Sequence, residues 1–375
     1  MEEQSLFRNT FNKDLIAAMA KNIAASYDQF DSIKFKNLAN NGLEQLALKE
    51  RNHQITQALI NCLPNDFSLA CEIIVKSIQH NPFPYRGNWD SFYYMPFGTY
   101  VALKGCSSIH LAQSFEALKE ITIRFTSEFA IRPFINKFPE ESLLQLNKWK
   151  NHPDENVRRL CSEGSRPRLP WAEKIQAHIN DPAPCFEILK DLMEDESLYV
   201  KKSVANHLND ISKDNADLLL NFISDYTNSI NKNTNWICKH ALRTLIKKGN
   251  KKALQLLGYN EHPNIIVSEL KLATNKVQLN NYLSFEFSIT NQETECQQLM
   301  IDYVVYHLKA NKQLLPKVFK LKTITLKSNE TITIKKKHSF KVITTRKYYV
   351  GEHKIAVQIN GTIFNQESFL LCDSN

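Results

Sequence analysis

The segment DENVRRLCSEG (154–164) returns in altered form as DESLYVKKSVANHL (195–208) and NWICKHALRTL (235–245). Each copy opens on an acidic residue or Asn, followed by a β-branched residue, a basic residue and apolar positions at helical spacing. With Val157, Val200 and Ile237 as equivalent anchors, the periods are 43 and 37 residues. Periods of about 40 residues belong to HEAT-type helical hairpins, which bury their apolar faces only by stacking on their neighbours. A curved solenoid with a concave binding surface is the expectation.

Working outward from these copies, apolar spacing stays helical as far as about residue 260: Leu15, Ile16, Met19 and Ile23; Leu43, Leu46 and Leu48; Leu69, Ile73, Ile74 and Ile78. Beyond about residue 280 the period falls to two, in SFEFSIT (284–290), TITL (323–326), TITIK (331–335) and IAVQI (355–359). Asn360-Gly361 then separates the last of these from another apolar run, the signature of a type I′ hairpin. The chain therefore reads as mainly α: a HEAT-like repeat domain over 1–265, then an immunoglobulin-like β-sandwich over 270–375, with the change near 262–275 and no Gly/Ser linker.

Composition narrows the function. The 375 residues are 43% apolar and 23% charged, enough for two cores, and 47 Lys+Arg against 39 Asp+Glu give a net charge of +8. From 265 onward there are 15 Lys+Arg and 9 Asp+Glu, a net of +6, so the helical part, with 32 against 30, carries only +2. That balance favours a polyanionic partner, while nine Gly and the absence of GxGxxG or GxxxxGK[ST] strings exclude the common nucleotide-binding loops. The eight Cys are scattered, without CxxC pairs or zinc-finger spacing, so structural zinc is disfavoured. An acidic start without an apolar leader, and no window approaching 18 apolar residues, predict a soluble, cytoplasmic protein without a membrane partner.

Three carboxylates stand in unusual company: Glu128 in FTSEFAIRPF, Glu163 in VRRLCSEGSRPRLPW and Asp210 in VANHLNDISK. Glu163 lies six residues after Val157 and Asp210 ten after Val200; the difference of four is one helical turn, so stacking would bring both to one wall. Around Glu163 crowd Arg158, Arg159, Arg166 and Arg168, a density suited to phosphate contacts. Two prolines then force an extended passage, after which Trp171 would open the next helix and present its face to a base. Trp89, in the aromatic run 83–97, reads as packing. His207, three residues before Asp210, has the spacing of an acid/base pair but lacks a nucleophile beside it. KKKHSFK (335–341), with Lys335, Lys336 and Lys337, and TTRKYY (344–349) form a basic, aromatic-interleaved patch that would shield a sheet edge or touch phosphates. Taken singly, each carboxylate is also readable as an ordinary solvated acid. The residues alone admit a non-catalytic solenoid that scaffolds DNA or protein.

RFTSEFAIRPF followed by VRRLCSEGSRPRLPW closely resembles the bacterial DNA alkylation repair glycosylases of HEAT-like-repeat architecture, in the AlkC branch related to AlkD. The resemblance covers the helical region, and some members of the branch carry an immunoglobulin-like domain. It implies a monofunctional enzyme, acting as a monomer and needing neither a metal nor an organic cofactor, that excises cationic alkylated bases such as 3-methyladenine and 3-methylcytosine from double-stranded DNA without turning them into a deep pocket. It also implies roles: Glu128, Glu163 and Asp210 as active-site carboxylates, Trp171 and Phe129 as contacts to the lesion nucleotide, and Arg159 and Arg166 on DNA, where the arginine density adds Arg168. A generic scaffold has no reason to keep the string 163–168 whole.

Overall fold

Short polar residues set the helix starts. Asn12, Asp31, Asp66, Asp154, Ser197 and Asn250 each accept a hydrogen bond from a first-turn backbone N–H, satisfying donors that the helix itself leaves open. The computed structural model describes residues 7–80, 89–227, 229–343 and 346–373. The Trp89 side chain and residues 344–345 of the second basic run lie outside the described residues. None of the described helices is long and apolar enough to cross a membrane.

The chain divides into two compact units. One holds Met1–Leu219 with Ser229–Ala241; the other holds Leu220–Asn228 with Leu242–Asn375. In the first, the repeat copies form the helices Glu155–Glu163, Leu198–Ile211 and Lys232–Ala241, and the middle one packs against both others. Anchors Val157, Val200 and Ile237 are all fully buried there. Helices Pro139–Trp149 and Ala183–Leu192 precede the first two copies and pack on them, giving the two layers of a HEAT-like repeat.

The second unit is a sandwich of β1 (Ile265–Val267), β2 (Lys271–Leu272), β3 (Lys276–Gln278), β4 (Tyr282–Asn291), β5 (Gln297–Leu308), β6 (Leu314–Leu326), β7 (Thr331–Ser339), β8 (Gly351–Ile359) and β9 (Thr362–Cys372). One sheet sets β4 between β7 and the short β1 and β2; the other runs β3-β9-β8-β5-β6. Asn360 and Gly361 both take positive φ, 45° and 80°, as a type I′ turn between β8 and β9 requires.

Period two marks β4, the end of β6, β7 and β8, but misses β5. That strand is interior to its sheet and buried on both faces: Leu299, Ile301, Tyr303 and Val305 enter the core between the sheets, while Met300, Asp302 and Val304 are buried opposite. A strand covered on both faces reads as a continuous apolar run, without alternation. Helical residues 242–260 belong with this unit because they meet its hairpin. A Cβ at Gly361 would lie 2.7 Å from Gly249 Cα, and Asn360 Nδ2 donates to the Asn260 carbonyl at 2.9 Å.

Candidate active site

Three segments of the helical unit converge: the turn at 126–131, the helix Glu155–Glu163 with the turns that follow it, and the helix Leu198–Ile211. Their charges alternate along one chain of contacts. Glu128 Oε2 accepts from Thr126 Oγ1 and from Arg159 Nη1, both at 2.8 Å. Arg159 lies over the Tyr199 ring, 4.3 Å from its centre, and reaches Glu163 Oε1 at 3.6 Å. Glu163 Oε1 accepts from Arg166 Nη1 at 2.6 Å, and its Oε2 accepts from Ser203 Oγ at 2.6 Å. Arg166 Nε donates to Asp210 Oδ2 at 2.8 Å, and Lys213 Nζ donates to Asp210 Oδ1 at 2.7 Å.

Glu163 and Asp210 are 6% and 1% exposed, so both ionised groups have lost their water and depend on these partners. Attraction inside a poorly solvated site holds such a chain in place, and removing one member leaves its partner's charge uncompensated, at a cost of about 3–5 kcal/mol. The four-residue offset between Glu163 and Asp210 does bring them to one wall, with Arg166 between them.

The turns that follow Glu163 and carry Arg166 have their own clamp. The buried Arg132 donates to the carbonyls of Gly164 at 2.9 Å and Arg166 at 2.8 Å through Nη1, and to Glu173 O through Nε at 3.0 Å and through Nη2. Burial, with Arg166 nearby, lowers its guanidinium to about 10. Gly164 is needed for space, since a Cβ there would lie 2.5 Å from Ile131 Cγ2 in the turn that carries Glu128. Gly164→Ala is therefore expected to lower stability by about 1–3 kcal/mol, read by thermal unfolding; an unchanged Tm would refute the tight contact.

Trp171 does not open a helix. It sits in a turn with φ of 65°, and the next helix begins at Gln176, because the Pro-rich passage folds into successive turns instead of running extended. A positive φ is strained for a large side chain and persists only where neighbours hold it. Lys49 Nζ donates to the Trp171 carbonyl at 2.5 Å, and the indole is left 73% exposed. Phe129 lies half-buried beside Glu128 in the turn.

The arginines divide differently from the expectation. Arg158 makes a fork to Asp195 at 2.7 and 3.2 Å and donates to the carbonyls of His152 and Pro153, so it ties repeats together. Arg159 and Arg166 are each paired with carboxylates, Arg159 with Glu128 and Arg166 with Glu163 and Asp210. Arg168 lies nearer the surface and forks onto Asp214, both contacts at 2.6 Å; that hydrogen bonding lowers the Asp214 carboxyl and raises the guanidinium. His207 forms no pair with Asp210. Its Nδ1 donates to Ser162 O at 2.9 Å and its Nε2 has no partner among the described residues, while burial, His178 and Arg166 push it well below the usual imidazole value.

Sequence reading passed over Arg132, Ser203, Lys213 and Asp214. Only Lys213 had a local signal, three residues after Asp210 on the same turn.

On the sandwich, Lys335, Lys336 and Lys337 are exposed on β7, which pairs only with β4 among the described strands and so forms an edge. They line an open groove with Lys271, Leu272 and Phe285, and Lys335 Nζ lies 3.0 Å from Glu286 Oε2. The aromatic interleaving is absent from that surface, because His338 and Phe340 turn into the core.

Residues 116–245 match the family model for the DNA alkylation repair enzyme, and residues 266–373 match that for the C-terminal Ig-like domain of the uncharacterised protein YhaZ. The uncharacterised YhaZ of Bacillus subtilis (strain 168) is 38% identical over 366 residues, covering 97% of this chain and 99% of its own. The solved structure of Pseudomonas fluorescens alkylpurine DNA glycosylase AlkC, bound to DNA containing an abasic site analog, superposes with a TM-score of 0.88 at 33% identity, over 97% of this chain and 99% of that one. A likeness of this extent and identity reaches across helical repeats and sandwich alike: the chain belongs to the DNA alkylation repair enzyme family, with an AlkC-like fold and a YhaZ-type immunoglobulin-like domain after its repeats.

Proposed function

We propose that this chain is a monofunctional DNA glycosylase that hydrolyses the N-glycosidic bond of cationic alkylated bases, 3-methyladenine and 3-methylcytosine, in double-stranded DNA. The observation that carries this reading is the buried chain of carboxylates and cations from Glu128 to Asp210, on a scaffold like that of AlkC.

Methylation of a ring nitrogen makes the base a cation. When the C1′–N bond breaks, the electron pair goes to the base, which leaves neutral, and the positive charge moves to the deoxyribose as an oxocarbenium-like centre. Glu163 and Asp210, with Glu128 beside them, would turn carboxylate oxygens to that centre as their cationic partners shift, so that negative charge faces the forming cation. Water then bonds to C1′ and gives its proton to one of these carboxylates, the logic that glycoside hydrolases use at sugars. Lys213 is ion-paired to Asp210 and serves as a donor there, in keeping with attack by water instead of an amine. Trp171 and Phe129 would contact the lesion nucleotide. Arg168 would exchange Asp214 for a phosphate, and Lys335–Lys337 would add backbone contacts.

Mass spectrometry of bases released from methylated duplex is the test. Free 3-methyladenine with abasic sites left behind is the expected product, and a neutral adduct, lacking the charge that drives departure, is expected to stay. Salt-dependent binding without any released base would overturn the reading in favour of a scaffold. For the sandwich, the Lys335→Gln, Lys336→Gln, Lys337→Gln variant is expected to weaken duplex binding and to flatten its salt dependence by about one to three counter-ions. An unchanged slope would refute that contact. Substitution suits this question better than cutting at residue 270, since residues 242–264 belong to the same compact unit as the sandwich.

A further inference from the structure

A second cationic site lies at one end of the sandwich. A cavity of about 710 Å³ is lined by His307 at the end of β5, Lys309 and Asn311 in the following turn, Pro316 and Lys317 on β6, and Arg346, Lys347 and Tyr349. His307 is 4% exposed, with neither ring nitrogen partnered among the described residues. Its inner side is walled by the rings of His338, Phe340, Tyr348 and His353, all within 6.2 Å. A buried imidazole without a hydrogen bond is costly, and such a group in a native fold calls for a partner.

The surrounding charge indicates what that partner is. Arg346 is held over aromatic rings, 5.7 Å from the centre of Phe319 and 5.6 Å from that of Tyr348, with Nη1 donating to Tyr348 Oη at 3.2 Å. Lys317 sits over the same Phe319 ring at 5.5 Å. Burial, Arg346, Lys247 and Lys309 together lower the Lys317 ammonium. Among the described residues, no carboxylate pairs with Lys309, Lys317, Arg346 or Lys347. Burial and the neighbouring cations hold His307 down to about 3, so at neutral pH it is an uncharged imidazole with one N–H to donate. Four cations exclude a metal ion. One buried N–H and several cationic donors around a cavity instead match a group with several charged oxygens.

We propose that this cavity binds a phosphate group, with His307 as the donor at its floor and Arg346, Lys317 and Lys309 as its counter-charges. The group belongs either to a nucleic-acid backbone or to a small phosphate ester, and the test separates the two. The full chain, labelled with 15N-histidine, would be titrated with inorganic phosphate and, separately, with a short undamaged duplex, and the His307 ring signals would be assigned by comparison with His307→Gln. At least one ligand is expected to shift those signals saturably, and Arg346→Gln to weaken its binding by about fivefold, while Lys327→Gln leaves it unchanged. A response to duplex alone assigns a backbone phosphate; a response to inorganic phosphate assigns the small ester. Silence with both ligands, or an affinity that Arg346→Gln leaves unaltered, would overturn the proposal. Neither ligand is a glycosylase substrate, so the result is independent of base release.

Discussion

Methylated duplex incubated with the Glu163→Gln, Asp210→Asn variant is expected to keep its 3-methyladenine, with release slowed by at least about a thousandfold. Both changes are nearly isosteric and remove the negative charge. In Glu163→Gln the amide oxygen can still accept from Arg166 Nη1, and the new NH₂ faces Ser203 Oγ, which can turn to accept it. Asp210→Asn is less benign, because both original oxygens accept from cations, Arg166 Nε and Lys213 Nζ, and the amide can keep only one of these bonds. Glu163→Gln alone therefore separates chemistry from folding: Arg159 keeps Glu128 and Arg166 keeps Asp210, so no cation is left without a carboxylate and Tm should fall by only a few degrees while the rate falls. Release at the parental rate by the double variant would sink the assignment of these two carboxylates.

The largest stability effect is expected at Arg132. Replacing it with Met removes the donors for three buried or half-buried carbonyls, those of Gly164, Arg166 and Glu173, and no neighbouring group is placed to replace a planar fork. Each orphaned carbonyl costs about 1–3 kcal/mol, partly offset because a buried guanidinium no longer has to be desolvated. A net loss of about 3–5 kcal/mol follows, or roughly 10 °C in the melting of the helical unit. Arg132→Lys should recover little, because one ammonium cannot reach carbonyls on residues 164, 166 and 173 together. Activity should fall with stability, since the clamp positions the turns that follow Glu163 and carry Arg166 and Trp171. A stability within about 1 kcal/mol of the parent would show that these turns hold themselves.

Much of this molecule was legible without coordinates. The anchors Val157 and Val200 and the Asn360-Gly361 turn act through neighbours a few residues away, and their spacing alone marks them. The pairing of Glu163 with Asp210 was also accessible, because two stacked copies of one repeat place equivalent turns side by side. β5 was not, since burial on both faces erases the alternation by which a strand is read.

Which arginine does what could not be read from density. Arg158, Arg159, Arg166 and Arg168 stand within eleven residues, yet one joins repeats, two neutralise buried carboxylates and one forks onto a surface aspartate. Their carboxylate partners lie 31 to 46 residues away along the chain, apart from Glu163, and only the stacking of repeats selects among them. Trp171 follows the same rule: Lys49, distant in sequence, donates to the carbonyl of the turn that leaves its ring in solvent. The sequence by itself thus determined the helical repeats, the sandwich and which acids belong together, because periodicity and turn chemistry are short-range. Tertiary structure alone decided which charges are buried as pairs and which remain free to meet a ligand, because desolvation depends on everything packed around a group.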